Sequence, residues 1–314
     1  MFELLVNLIL TSLFLKSQAG GQMTLDSLIR PEYRLEQAEV RSLEKKAPQK
    51  DDSKYSLGVN VSAQSVLVVD DKTNKILYDK NSQEVRSIAS LTKLMTALVF
   101  LDYNPGWDSS VKISDLDYRD GGIQYLINGE VISVSDLFHA SLISSSNEAT
   151  VALARSTGLS LDEFVSKMNE KAKELRMNST SFSDVTGLSN YNKSTAVDLA
   201  ILSKAAFDSS RIKEVTGTES YTITIINRGL TRNIKSTDKI LNQEFGLGDQ
   251  SYKVENGKTG YLEIAGYNFA SRVSDSGNRR ILVIVLGSST INSRFTDTKS
   301  LAYWVFNNFN WSNI

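Results

Sequence analysis

The chain has 314 residues, 41% of them hydrophobic and 23% charged, with a net charge of −1. That balance suits one sizeable globular unit and gives no basic excess or aromatic-basic interleaving for a nucleic-acid partner. With no cysteine and a single histidine, His139, thiol catalysis, disulfides and zinc sites built on cysteines or several histidines are excluded.

Phe2 to Leu15 is an apolar run too short for a comfortable membrane span, followed by small residues around Ala19. Residues 1–19 therefore read as a signal peptide or N-terminal anchor. Glu3 stands where such a leader wants a basic residue, and Lys16 lies on its far side. Residues 20–56 are charged, with Pro31 and Pro48 as breakers, and read as a tether ahead of a domain over 57–314.

Gln64 to Val69 and Lys75 to Tyr78, joined by a polar turn at 70–74, predict a hairpin. Ser90 to Leu101 predicts a helix, apolar at Leu91, Leu94, Met95, Leu98, Val99 and Leu101. From about Tyr103 to Asn227 the pattern is mainly helical, a second lobe that includes Val134 to Ile143 and Glu148 to Ala154. His139 lies inside the first of these and reads as a packed histidine. After Tyr252 three strands are expected, with a turn at Asp275 to Asn278 between the last two. A closing helix follows over Ser293 to Phe309, its aromatics read as core. The hairpin and the three late strands make a five-stranded antiparallel sheet, an α/β (α+β) architecture flanked by helices.

Three short motifs stand in order on this frame: Ser90-Leu91-Thr92-Lys93, Ser145-Ser146-Asn147 and Lys258-Thr259-Gly260. They read S-x-x-K, S-x-N and K-T-G. The first pattern also occurs at Ser42/Lys45, Ser109/Lys112, Ser210/Lys213 and Ser236/Lys239, and the second at Ser276-Gly277-Asn278. Only Ser90 heads a strongly apolar helix, where Lys93 lies on its own face and free N–H groups await an oxyanion. Ser145 and Asn147 fall in a turn between two helices. Lys258 and Gly260 share one face of a strand, and the glycine permits close approach of a ligand or another backbone.

The chain resembles the low-molecular-weight penicillin-binding proteins, the serine D-alanyl-D-alanine carboxypeptidases and endopeptidases, from about Ser62 to Phe309. Supporting stretches are residues 63–70, 187–189 with 194–199, and Ala265-Gly266-Tyr267-Asn268-Phe269. The resemblance implies a β-lactamase/transpeptidase-like fold and a carboxypeptidase acting on peptidoglycan stem peptides through a Ser90 acyl-enzyme. It implies Lys93 as base, its pKa lowered by partial burial and by Lys258, and Ser145 as proton relay. Asn147 would bind the substrate amide, and Lys258 and Thr259 its terminal carboxylate. The oxyanion hole would be the backbone N–H groups of Ser90 and Tyr261, with Gly260 between. Relatives often carry histidine where Tyr261 stands. No cofactor is implied; β-lactams are expected as covalent inhibitors, and the location as extracytoplasmic, with possible membrane attachment through the N-terminus. Many such carboxypeptidases continue into a β-rich domain, so the shorter layout keeps a D,D-endopeptidase as the alternative. A class A β-lactamase stands behind it, since Phe182 to Thr195 holds no glutamate for deacylation, and then a non-catalytic penicillin sensor.

Overall fold

The structure, a computed structural model, describes residues 47–311. The expected leader and the first part of the expected tether lie outside them. Its main elements in chain order begin with β1 (Ser65–Asp70), β2 (Ile76–Lys80), α1 (Thr92–Asp102), α2 (Val134–Ile143), α3 (Asn147–Ser156), α4 (Leu161–Glu174), α5 (Ala196–Asp208) and α6 (Ser210–Thr216). They continue with β3 (Ser220–Ile225), β4 (Leu230–Lys235), β5 (Glu244–Phe245), β6 (Tyr252–Leu262), β7 (Gly266–Asp275), β8 (Arg280–Ser288) and α7 (Ser293–Asn308).

One antiparallel sheet in the order β5-β6-β7-β8-β1-β2 organises the body. The five expected strands are present, and the two-residue β5 adds a sixth at the β6 edge. The central strands are apolar without alternation because both faces are covered. Val66, Val68, Ile281, Val283 and Val285 pack with Leu301, Val305 and Phe306 of α7. Leu67, Val69, Leu282, Ile284 and Leu286 point the other way, into the core of the helical lobe with Leu94, Phe100, Phe138 and Phe207. Each such large side chain contributes roughly 1.5–3 kcal/mol on burial.

The helical lobe is less purely helical than its sequence suggests. Residues 110–112 pair with 131–133, and β3 pairs with β4 through a turn at Gly229, φ 60°. That hairpin runs past the expected limit at Asn227 because Ile223, Ile225 and Ile234 bury one face against the lobe. The expected tether also ends earlier. Gln49–Lys50 pairs with Phe309–Asn310, Lys54 Nζ donates to the Asn307 carbonyl at 2.7 Å, and Trp304 Nε1 donates to Ser56 Oγ at 2.7 Å. Residues 49–56 thus dock on α7 instead of hanging free, because their backbone and hydroxyl groups find partners at its end. Among the described residues no helix is long and apolar enough to cross a membrane.

Candidate active site

Ser90 lies in a single 3-10 turn, Ala89–Leu91, that runs into α1, so the helix proper starts two residues later than its sequence pattern predicts. The delay is enforced by Ala89, which sits at φ 48°. A left-handed alanine costs about 1–2 kcal/mol, and it turns Ser90 out toward the cleft. Lys93 follows one turn on, its Nζ 2.9 Å from Ser90 Oγ. Among the described S-x-x-K pairs this is the one whose serine and lysine are hydrogen-bonded.

Lys93 is 0% exposed. Its Nζ also reaches Asn147 Oδ1 at 2.8 Å and the Thr186 carbonyl at 2.8 Å. Both of those atoms can only accept. A neutral amine has two N–H bonds and one lone pair, so with both hydrogens committed the lone pair is left for the Ser90 hydroxyl proton. Burial lowers the amine to about 7, while Asp184 and Glu148 pull it upward. Burial is complete where the resemblance implies only partial burial, which makes desolvation the larger effect.

Ser145 and Asn147 come from the α2–α3 turn. Ser146, not Ser145, caps α3, its side chain accepting from Ala149 N. That leaves Ser145 free to point into the cleft, at φ 59°, its Oγ 2.8 Å from Lys258 Nζ. Asn147 Nδ2 donates to the Gly121 carbonyl at 2.9 Å. With Oδ1 on Lys93, the residue fixes the position of that amine and keeps one N–H uncommitted. The cleft therefore holds two pairs, Ser90 with Lys93 and Ser145 with Lys258.

Lys258, Thr259 and Gly260 lie on β6, whose edge past Val254 has no strand partner among the described residues and faces the Ser90 turn. A Cβ at Gly260 would lie 2.8 Å from the Ile88 carbonyl oxygen and 3.1 Å from Ser90 N. Glycine is required for strand and turn to touch. Lys258, 1% exposed, also donates to its neighbour's carbonyl, that of Thr259, at 2.9 Å. Burial, then the charges of Lys93 and Arg294, hold its amine well below the ordinary lysine value. Thr259 Oγ1 donates to Thr237 Oγ1 at 2.6 Å. Tyr261 is 51% exposed and stacks on Tyr267, with ring centroids 4.3 Å apart.

Several neighbours of this cleft belong to none of the three motifs. The 184–192 loop wraps the base of the Ser90 turn: Asp184 accepts from the backbone N–H of Thr186, Gly187 and Ser189. Asn192 Nδ2 donates to Thr92 Oγ1 at 3.0 Å. Gly187, φ +88°, leaves no space for a side chain, since its Cβ would sit 2.0 Å from the Ala89 carbonyl oxygen. Aspartate three residues before a glycine is the local signal that marks such a turn. Arg294, on α7, reaches under the strand to the carbonyl of Gly260 at 3.3 Å. Burial lowers its guanidinium to about 10. Thr237 and Asp238 arrive from a loop with no sequence signal. His139 is a packed residue of the lobe, Nδ1 2.7 Å from the Ser135 carbonyl and its ring stacked on Tyr221. Asn278, of the rival S-x-N, stands at the β7–β8 hairpin tip.

A two-faced antiparallel sheet against a helical lobe, with S-x-x-K, S-x-N and K-T-G meeting at their seam, defines the penicillin-recognising serine enzymes. Solved structures agree. The Streptomyces K15 DD-transpeptidase superposes with a TM-score of 0.71 at 25% identity, over 80% of this chain and 100% of that one. Penicillin-binding protein D2 of Listeria monocytogenes, in its cefotaxime-bound form, gives 0.68 at 30% identity over the same shares. The family model Peptidase S11, D-alanyl-D-alanine carboxypeptidase, matches residues 47–290, and the chain belongs to that family. It is 37% identical over 243 residues to the D-alanyl-D-alanine endopeptidase of Haemophilus influenzae, covering 76% of this chain and 80% of that protein. It is 32% identical over 267 residues to the carboxypeptidase DacF of Bacillus subtilis, covering 83% of this chain and 66% of that protein.

Proposed function

We propose that this chain is a serine-type D-alanyl-D-alanine carboxypeptidase acting on peptidoglycan stem peptides outside the cytoplasm, attached or released through its N-terminus. The observation that carries the reading is the Lys93 amine, buried, lowered to about 7 and with both hydrogens committed, aimed at Ser90 Oγ. Lys93 takes the hydroxyl proton as Ser90 Oγ bonds to the carbonyl carbon of the penultimate D-alanine. The backbone N–H groups of Ser90 and Tyr261 hold the oxyanion. As the C–N bond breaks, Ser145 gives its proton to the departing amine, and the proton on Lys93 replaces it. Water then cleaves the ester with Lys93 again as base. Lys258, backed by Arg294, holds the terminal carboxylate, joined by Thr259 once its hydroxyl proton turns from Thr237, and the remaining N–H of Asn147 binds the substrate amide. The catalytic domain in this reading begins near residue 49, not 57.

The test is incubation with a fluorescent penicillin and with a muropeptide ending in D-Ala-D-Ala. We expect stable labelling at Ser90, release of D-alanine, and loss of both in Ser90→Ala; labelling that persists in Ser90→Ala would sink the assignment. The β-lactam ester should also be long-lived. The loop opposite it holds no glutamate, and the Asp184 oxygens are occupied by backbone N–H groups. Mass spectrometry of the labelled protein over hours checks this, and prompt return of the free enzyme would instead mark a β-lactamase.

A second reading, D,D-endopeptidase, is favoured by one observation. A shallow, open depression of about 510 Å³ between Leu188–Asn190 and Leu262–Ile264 starts beside the two glycines packed on the Ser90 turn. It offers room for the second peptide of a cross-link. Cleavage of a cross-linked dimer muropeptide faster than of the monomer supports that reading over the first.

A further inference from the structure

The strand that carries K-T-G is gripped from beneath by two consecutive residues, Thr237 and Asp238. Thr237 bonds Thr259, and its own N–H donates to the Ile143 carbonyl at 3.1 Å, at the end of α2. Asp238, 5% exposed, lies flat against Gly257, where a Cβ would stand 2.2 Å from Oδ2. Its Oδ1 accepts from Ile240 N at 2.9 Å, while Oδ2 is buried with no hydrogen-bond partner. A buried carboxylate with an orphan oxygen is costly, so some other interaction must hold it there.

Two cations lie near enough to act on it electrostatically, without a direct ion pair. From β6 comes Lys258, from α7 comes Arg294, and Asp238 acts electrostatically on both. Lys93 of α1, when protonated, acts on Lys258 as a like charge. Phe269 of β7 closes the wall beside Gly257 without charge, and Lys239 is the other ionisable group of Asp238's own segment. Lys258 and Arg294 thus share Asp238 as their buried acidic neighbour. Resting on the function proposed above, we propose that Asp238 is a positioning residue: the resident counter-ion that keeps Lys258 cationic, and so able to hold the substrate's terminal carboxylate, while the cleft is empty. The electrostatics agree in direction. Burial pushes Asp238 up to about 6, against the pull of Ile240 N–H and Arg294, so it is ionised at neutral pH and raises Lys258.

The test compares acylation of the full chain by benzylpenicillin, which carries a free carboxylate, and by its methyl ester, from pH 5 to 9. In the wild type the free carboxylate should react faster than the methyl ester at pH 7 and lose that advantage at higher pH, because an opposite charge nearby supports the ammonium. Asp238→Asn keeps the shape and the acceptor for Ile240. It should move the alkaline loss of that advantage down by about one unit, and well above the wild-type midpoint slow benzylpenicillin about tenfold with the methyl ester changed less than twofold. A merely structural role would slow both compounds alike, leave the midpoint in place, and overturn the inference. The wild type alone also decides: an advantage already gone at pH 7 would mean that nothing holds Lys258 charged. Labelling lost from Ser90 altogether would instead strike the proposed function itself.

Discussion

Replacing Lys93 with methionine is expected to slow acylation of Ser90 by about a thousandfold, while the protein still folds, with a melting temperature lowered by loss of the bonds to Asn147 and Thr186. Methionine matches the stem of the lysine and removes the atom proposed to take the proton, and general-base catalysis is worth on the order of that factor. Removing a neutral buried amine also relieves its desolvation, which limits the loss of stability. Lys93→Arg separates base from charge, because an arginine stays protonated and restores no activity. The same amine sets the pH profile. Its ordinary value near 10.5 is lowered to about 7, so the reactive neutral form is scarce below pH 7 and dominant above it. The second-order rate of β-lactam acylation should therefore rise about tenfold per pH unit below 7 and level off above it. Glu148 raises the Lys93 value, so Glu148→Gln should shift that midpoint to lower pH. Its Oε1 accepts from Tyr125 and Leu126 N–H, bonds that a glutamine oxygen still makes. Stopped-flow labelling across pH measures both effects, and a flat profile from pH 5 to 8 would remove Lys93 as the base.

Gly187→Ala should be the most damaging single change outside the three motifs. The new methyl group would stand 2.0 Å from the Ala89 carbonyl oxygen and 2.9 Å from Ser90 N, at a backbone φ of +88°. Strained backbone and overpacking cost about 1–3 kcal/mol each. Relief requires the loop to move off the Ser90 turn, which takes the Thr186 carbonyl away from Lys93 and disturbs the oxyanion donor. Displacement of about 1 Å costs on the order of a hundredfold in rate, so acylation should fall at least that far along with a lower melting temperature. Gly229→Ala is the control. Its φ is also positive, +60°, but nothing lies within 4 Å, so it should cost only about 1–2 kcal/mol and leave acylation unchanged. Equal rates for the two variants would show that contact with the Ser90 turn is immaterial.

The three motifs were legible because each rests on a local rule. A serine and a lysine three apart on an apolar helix must share a face, and a glycine in a strand marks close approach. The five principal strands and the closing helix were legible from apolar run length and turn chemistry, with most ends within a residue or two. Ser90's 3-10 turn was hidden, because the helical pattern runs straight through it and the left-handed Ala89 is imposed by contacts from Gly187 and Gly260. The β3–β4 hairpin was hidden in the same way: its isoleucines become a strand face only when the lobe is there to bury them.

The sequence by itself determined which side chains could do the chemistry, since one S-x-x-K pair on an apolar helix and one K-T-G strand leave few other candidates. Only the tertiary structure decided how those groups are paired and charged. It set Lys93 against Ser90, Asn147 and Thr186, and Ser145 against Lys258, and it placed Asp238 and Arg294 beneath the strand. The reason is physical: protonation depends on burial and on charges that arrive from distant parts of the chain, and no local pattern encodes either.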